Sequence, residues 1–181
     1  MIKYDIDEKM MKKIKCKFYA LTVLFALALV LWCSLIYSFS AQTGTESASI
    51  SNKIVDVLIG LISDESNENV DAEHDLLRSR LSLFVRKTAH FSEYAVLGIL
   101  AFFLIAALLG SGQYKIVISA ISVSFCVIFA IFDELHQLFI DGRVGSALDV
   151  LIDSVGALFG ATLALLLYTF ILRKRNKSRE K

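Results

Sequence analysis

The sequence predicts an all-α membrane protein, a bundle of four transmembrane helices with short amphipathic helices in the first extracytoplasmic loop. Three observations carry that reading. Four apolar runs, 18–37, 91–109, 116–132 and 150–172, each come close to the roughly 20 residues that a helix needs to cross a hydrocarbon core of ~30 Å. Within those runs only Glu93 and Asp153 carry an acid or a lysine or arginine. The 181-residue chain is 56% hydrophobic and 20% charged, has a mean hydropathy of +0.62 and contains no proline. A hydrophobic share this high excludes a disordered chain, and a net charge of +1 excludes nucleic-acid binding driven by bulk positive charge. Backbone amides in lipid must be satisfied within their own segment, so the runs are helices, and the alternation of a membrane barrel strand is absent.

Residues 1–17 form a basic tail with six lysines. The run that follows, 18–37, is longer than the apolar core of a secretory signal and reads as a retained first span. The extracytoplasmic loop, 38–87, is long enough to hold structure of its own. Ile50, Ile54, Val57, Leu58 and Leu61 recur at helical spacing, and so do Leu77, Leu81, Phe84 and Val85, flanked by Arg78, Arg80, Arg86 and Lys87. Both stretches suit amphipathic helices lying on the outer leaflet, with cations meeting lipid phosphates, and both suit short helices packed on the bundle. The polar, acidic stretch 63–75 between them is expected as an exposed turn or link.

The spans 91–109 and 116–132 are joined by a short link with Lys115, and the last span, 150–172, runs into a second basic tail, 173–181. Thirteen lysines and arginines then fall on the side of the two tails and six on the other. The positive-inside bias places both termini in the cytoplasm. Cys16, Cys33 and Cys126 show neither C-x-x-C nor zinc spacing and read as inert apolar side chains.

Chemistry is confined to three stretches that this topology brings to one end of the bundle. Arg86, Lys87, His90, Glu93 and Tyr94 open the second span, and His90, Glu93 and Tyr94 share one helical face at i, i+3 and i+4. Asp133, Glu134, His136 and Gln137 close the third span with the same spacing. Arg143 follows Gly142 in a turn and offers a planar fork for phosphate or carboxylate. Ser146 and Asp149 have the serine-x-x-acid form of a capping box opening the last helix. Asp149, Asp153, Gly156 and Gly160 then form one stripe, whose glycines let another helix approach and whose Asp153 needs a partner from His90, His136 or Arg143.

Taken singly, each residue has an ordinary role: Asp149 as a helix cap, Arg143 as a lipid anchor, His90 and His136 as hydrogen-bonded packing residues. Their convergence on one end of a bundle otherwise empty of charge is what marks a ligand-binding site. His90, Glu93, Asp133, His136 and Asp149 are the candidates for acid and base roles. No zinc spacing such as H-E-x-x-H occurs, so neither metal nor cofactor is expected.

The motifs Arg86-Lys87-x-x-His90-Phe91-x-Glu93-Tyr94, Asp133-Glu134-x-His136-Gln137 and Gly142-Arg143-x-x-Ser146-x-x-Asp149, followed by Gly156 and Gly160, resemble those of the VanZ-like family of small bacterial membrane proteins. The resemblance spans nearly the whole chain, including the exit Tyr37-Ser38-Phe39-Ser40-Ala41-Gln42 from the first helix. Asp153 departs from it, since asparagine is the residue expected there. The family is named for an accessory protein that lowers susceptibility to teicoplanin, so the resemblance implies a bacterial cell membrane and a role in the envelope.

Three function classes follow. The first is a non-catalytic envelope factor that binds lipid headgroups, a lipid-linked wall precursor or the lipoglycopeptide. The second is a membrane enzyme on a lipid or wall substrate, with His90 or His136 as general base. The third, a transporter or proton path, ranks last because the inner halves of the spans hold no ionisable group to continue a route. Hydropathy leaves the oligomeric state open.

Overall fold

The structure is a computed structural model that describes residues 2–62, 72–109 and 114–179, with side chains for Cys16, 18–61, 75–109 and 114–178. Its five described helices are α1 (Ile2–Ser40), α2 (Gly44–Ile62), α3 (Ala72–Leu109), α4 (Lys115–Gln137) and α5 (Ala147–Arg179). Four of them, all but α2, are long and apolar enough to cross a membrane.

The apolar side chains that a water-soluble bundle would bury stand on the outside. Leu24, Val30, Leu31, Phe132, Leu166 and Phe170 are each 60–66% exposed. A band of that size is a surface made for lipid, where the hydrophobic effect no longer holds helices together and close backbone approach takes over. The sequence supplies that approach through small residues. A side-chain carbon added at Gly156 would run into the Phe91 carbonyl, one at Gly160 into the Ala95 carbonyl, and one at Gly98 into the Ala157 carbonyl. α3 and α5 therefore form the tightest pair, with α4 packed against both. Around this pair Ile36, Tyr94, Leu97, Ala101, Cys126, Ala130 and Ala157 form a core near the end where α1 and α4 finish, and Phe102, Ala106, Ile118 and Ala164 form a second core further along.

α1 lies against α3 and α4 on the periphery. Its Trp32 donates its indole N–H to the Glu93 carbonyl oxygen at 2.9 Å, so the one polar atom of a lipid-embedded tryptophan is satisfied across the helix pair.

Three boundaries differ from the sequence reading. The Leu77–Val85 stretch is not a separate surface helix; it is continuous with the second span, because neither glycine nor proline interrupts the chain from Ala72 until Gly98. At 38 residues α3 is about 57 Å long and so projects well beyond a core of ~30 Å. α1 and α5 likewise continue as helix through the two basic tails, whose lysines and arginines have good helix propensity. Of the expected link 63–75, residues 63–71 lie outside the described residues, and α3 has begun by Ala72.

α2 is the amphipathic helix of the loop. Its apolar stripe is turned away from the bundle, with Val57 64% and Leu61 78% exposed, while Ser51 and Val55 face inward and are buried. That orientation belongs to a helix lying on a bilayer surface, and only a narrow face of α2 touches α3. Glu46 accepts hydrogen bonds from the Thr43 amide and hydroxyl, both at 2.9 Å, which closes the first turn and holds its carboxyl below the usual range. An exposed ion pair between Arg78 and Asp56 links α3 to α2.

Candidate functional site

The ends of α1 and α4, the start of α5, one face of α2 and the middle of α3 meet at one end of the bundle, and the polar residues collect there. Their arrangement begins with Arg143 in the turn between α4 and α5. Gly142 takes a φ of 72° to make that turn, a conformation open to glycine at little cost. The guanidinium then donates from Nε to the Gln42 carbonyl at 3.0 Å, from one terminal nitrogen to the Phe39 carbonyl at 3.1 Å and from the other to Gln137 Oε1 at 3.3 Å. A cation thus covers the free carbonyls at the C-terminus of α1, where the helix dipole favours positive charge. Desolvation depresses the Arg143 pKa, opposed by nearby carboxylates. The fork is committed to the protein and acts as a strut.

Gln137 continues the network by donating to Glu134 Oε1 at 3.1 Å and to Asp133 Oδ2 at 3.3 Å. Glu134 Oε2 accepts the Ser146 backbone N–H at 2.8 Å, while the Ser146 hydroxyl accepts the Leu148 N–H at 3.2 Å. The capping box expected from the sequence is therefore only half made. Its acidic member is supplied from α4 by Glu134, and Asp149 turns instead to Lys87 on α3, at 2.7 Å.

Beside this scaffold lies a pocket of about 200 Å³. Its apolar lining comes from Ile36 and Phe39 of α1, Ile50 and Ile54 of α2, and Val85 of α3. Its polar lining includes Arg86, His90, Glu93, Asp133, Arg143 and Ser40. Five of the residues singled out in the sequence thus share one cavity, although they come from α3, α4 and the turn before α5. Tyr94 and Asp153, both fully buried, do not line it. His90 stands between: it lines the pocket, and its Nδ1 lies 3.7 Å from Asp153 Oδ1. Lys87, Glu134, Gln137, Ser146 and Asp149 support the end of the bundle without lining the cavity. His136 is also apart; its Nε2 is 3.1 Å from the Tyr37 hydroxyl and the two rings lie 4.5 Å apart.

Seven buried polar atoms at this end have no hydrogen-bond partner among the described residues: Ser40 Oγ, His90 Nδ1, Tyr94 Oη, Asp133 Oδ1, His136 Nδ1 and both carboxylate oxygens of Asp153. Each such atom costs ~1–3 kcal/mol relative to a satisfied one. Their concentration at one end makes that end the candidate site. Among the described residues no three His, Cys, Asp or Glu side chains are arranged to hold a metal ion.

The sequence reading missed the contribution of α1 and α2: Ser40, Gln42, Ser47 and Ser51 line the pocket. Two signals were present, serines on the narrow inward face of α2 and a tryptophan in the middle of a span, which needs an acceptor for its N–H.

The VanZ/LLP1 family model matches residues 25–168, a stretch holding most of the first and last spans, the third span, the apolar part of the second and every residue of the pocket. No curated protein and no solved structure matches the chain.

Proposed function

The chain belongs to the VanZ/LLP1 family, and from that premise we propose that this multi-pass membrane protein acts in the bacterial cell envelope by lowering susceptibility to teicoplanin-type lipoglycopeptides. In this reading both termini are cytoplasmic, in keeping with the lysine and arginine bias, and the polar end of the bundle faces outward. There it binds lipid headgroups, a lipid-linked wall precursor or the drug. The observation that carries the reading is the pocket itself, whose mainly apolar lining also holds Arg86, His90, Glu93 and Asp133. A cavity with that lining suits an amphiphile at a membrane surface.

The test is expression of the wild-type chain, Glu93→Gln and Asp149→Asn at matched membrane levels in a susceptible Gram-positive host, with minimum inhibitory concentrations measured for teicoplanin and vancomycin. A rise for teicoplanin alone, abolished by Glu93→Gln, is the expected outcome. Wild-type protein that is present in the membrane and shifts neither drug sinks the reading.

One observation supports a second reading, a membrane enzyme acting on a lipid or lipid-linked wall substrate. His90 lines the pocket and its Nδ1 lies 3.7 Å from the buried Asp153 carboxylate, so that a small approach would form the hydrogen bond by which a carboxylate orients a general base. Its mark is a lipid species that appears in extracts of cells expressing the wild type and is missing with His90→Gln.

A further inference from the structure

Most cations at the polar end are already engaged. Lys87 is paired with Asp149, Arg78 with Asp56, and all three guanidinium nitrogens of Arg143 donate to protein oxygens. Arg86, half-buried on α3, makes no hydrogen bond or ion pair with the described residues. Among the described residues it lines two cavities at once. On one side is the pocket with its apolar lining, and on the other a polar groove between α2 and α3 that includes Asn52, Asp75, Ser79 and Ser82. Arg86 therefore stands at a boundary between apolar and polar lining, where the headgroup of an amphiphile belongs.

The pocket also holds acceptors in need of donors. Asp133 is 4% exposed and Ser40 2% exposed, and both line the pocket; the Ser40 hydroxyl lies beside the Asp133 carboxylate as a neighbouring donor, and Asp133 Oδ1 makes no hydrogen bond of good geometry with the described residues. Glu93 adds a second carboxylate to the same lining. A ligand that satisfies this set presents an anionic oxygen to Arg86 and, within the same pocket, N–H or O–H donors to Asp133 and Glu93. Free phosphate has nothing to meet the apolar lining of the pocket, and a headgroup without N–H or O–H donors offers nothing to the Asp133 and Glu93 carboxylates. The apolar lining of Ile36, Ile50, Ile54 and Val85, in which Ile50 and Ile54 continue along α2 into the exposed Val57 and Leu61, gives acyl chains a path into the bilayer.

We propose that this pocket is a binding site for a phosphodiester lipid whose headgroup carries N–H or O–H donors, with Arg86 on the phosphate and Asp133 and Glu93 on the donors. The proposal deepens the binding reading given above and rests on it for its biological meaning, while its test stands apart from drug susceptibility.

The full-length protein, purified in detergent, is offered phosphatidylethanolamine, phosphatidylcholine and diacylglycerol of identical acyl chains, and the retained lipid is quantified by native mass spectrometry. Phosphatidylethanolamine and phosphatidylcholine share a phosphate and a net charge of zero and differ in donors, so their ratio reads the carboxylates. Phosphatidylcholine against diacylglycerol reads the phosphate contact. Wild type is expected to prefer phosphatidylethanolamine to phosphatidylcholine by about tenfold, the scale of one charge-assisted hydrogen bond. Glu93→Gln is expected to reduce that ratio, and Arg86→Gln to bring phosphatidylcholine down to diacylglycerol, with partial recovery in Arg86→Lys. The Glu93→Gln, Arg86→Gln and Arg86→Lys variants are checked for unchanged elution and thermal unfolding. Soluble glycerol phosphate is expected to compete poorly. Full competition by it, equal retention of all three lipids, or a folded Arg86→Gln that keeps the wild-type pattern overturns the proposal. Selective retention together with unchanged drug susceptibility leaves this site standing and removes the resistance reading instead.

Discussion

Glu134, in the last turn of α4, closes the first turn of α5 by accepting the Ser146 backbone N–H at 2.8 Å. The same carboxylate accepts from Gln137, which in turn accepts from Arg143, so one buried side chain couples the ends of three helices. In water a capping group is satisfied by solvent when it is lost; at a buried membrane junction that substitute is scarce.

Glu134→Ala is accordingly expected to lower stability by ~1–3 kcal/mol, the cost of leaving buried donors without an acceptor. Unfolding of the purified protein in mixed detergent with increasing dodecyl sulfate measures it. An unchanged midpoint would show that Ser146 and Gln137 find other partners.

The glycines separate by what lies next to them. Gly160→Ala forces its new methyl against the Ala95 carbonyl, so α3 and α5 must part, at a cost of ~1–3 kcal/mol. Gly60 on α2 has nothing within 4 Å, and Gly60→Ala is expected to be neutral or to gain up to ~1 kcal/mol from the lower backbone entropy of the unfolded chain. The same unfolding assay compares the two; a Gly160→Ala protein as stable as Gly60→Ala contradicts the close packing of α3 on α5.

Lys87 and Asp149 pair across α3 and α5 with side chains 38% and 30% exposed. A pair that open to solvent is worth about 0.2–1 kcal/mol. A double-mutant cycle with Lys87→Ala and Asp149→Ala should return a coupling in that range, weakened by salt. A much larger value would mean that the pair, and not the Glu134 cap, fixes the start of α5.

Asp153 is fully buried with no hydrogen bond, and the His90 imidazole lies 3.7 Å away. An amide of the same size removes the cost of an ionisable group in that place, so Asp153→Asn is expected to be at least as stable as wild type. A loss of more than ~1 kcal/mol would show that the His90 contact stabilises the bundle. A loss of function without loss of stability assigns the charge to the chemistry of the pocket.

Topology is checked with single cysteines in a chain freed of Cys16, Cys33 and Cys126. Asn52→Cys on α2 should react with an impermeant maleimide on intact cells, and Lys177→Cys on α5 only after permeabilisation. The reverse pattern places the pocket on the cytoplasmic face.

The spans were legible because lipid imposes one rule, a run of about 20 apolar residues per crossing, and that rule acts locally. The residues at one end were legible because charge is rare in such runs: Glu93 and Asp153 stand out in any reading. What stayed hidden depended on residues far apart in sequence. The spacing of Ser146 and Asp149 advertises a local cap, yet Glu134, twelve positions away, takes half of it and Lys87, 62 positions away, takes Asp149. Arg143 has the right chemistry for an anion, and the carbonyls of Phe39 and Gln42, about a hundred residues earlier, claim it first.

The sequence by itself determined an all-α bundle of four spans, the end at which its polar residues gather, and the stripe of Gly156 and Gly160 on which α3 and α5 meet, because hydropathy, helical period and residue size are properties of short segments. Only the tertiary structure decided that Arg143 braces the scaffold while Arg86 is left open to a pocket, and that α1 and α2 build its walls. Which donor meets which acceptor is a matter of distance between helices, and distance is set by how the whole bundle packs.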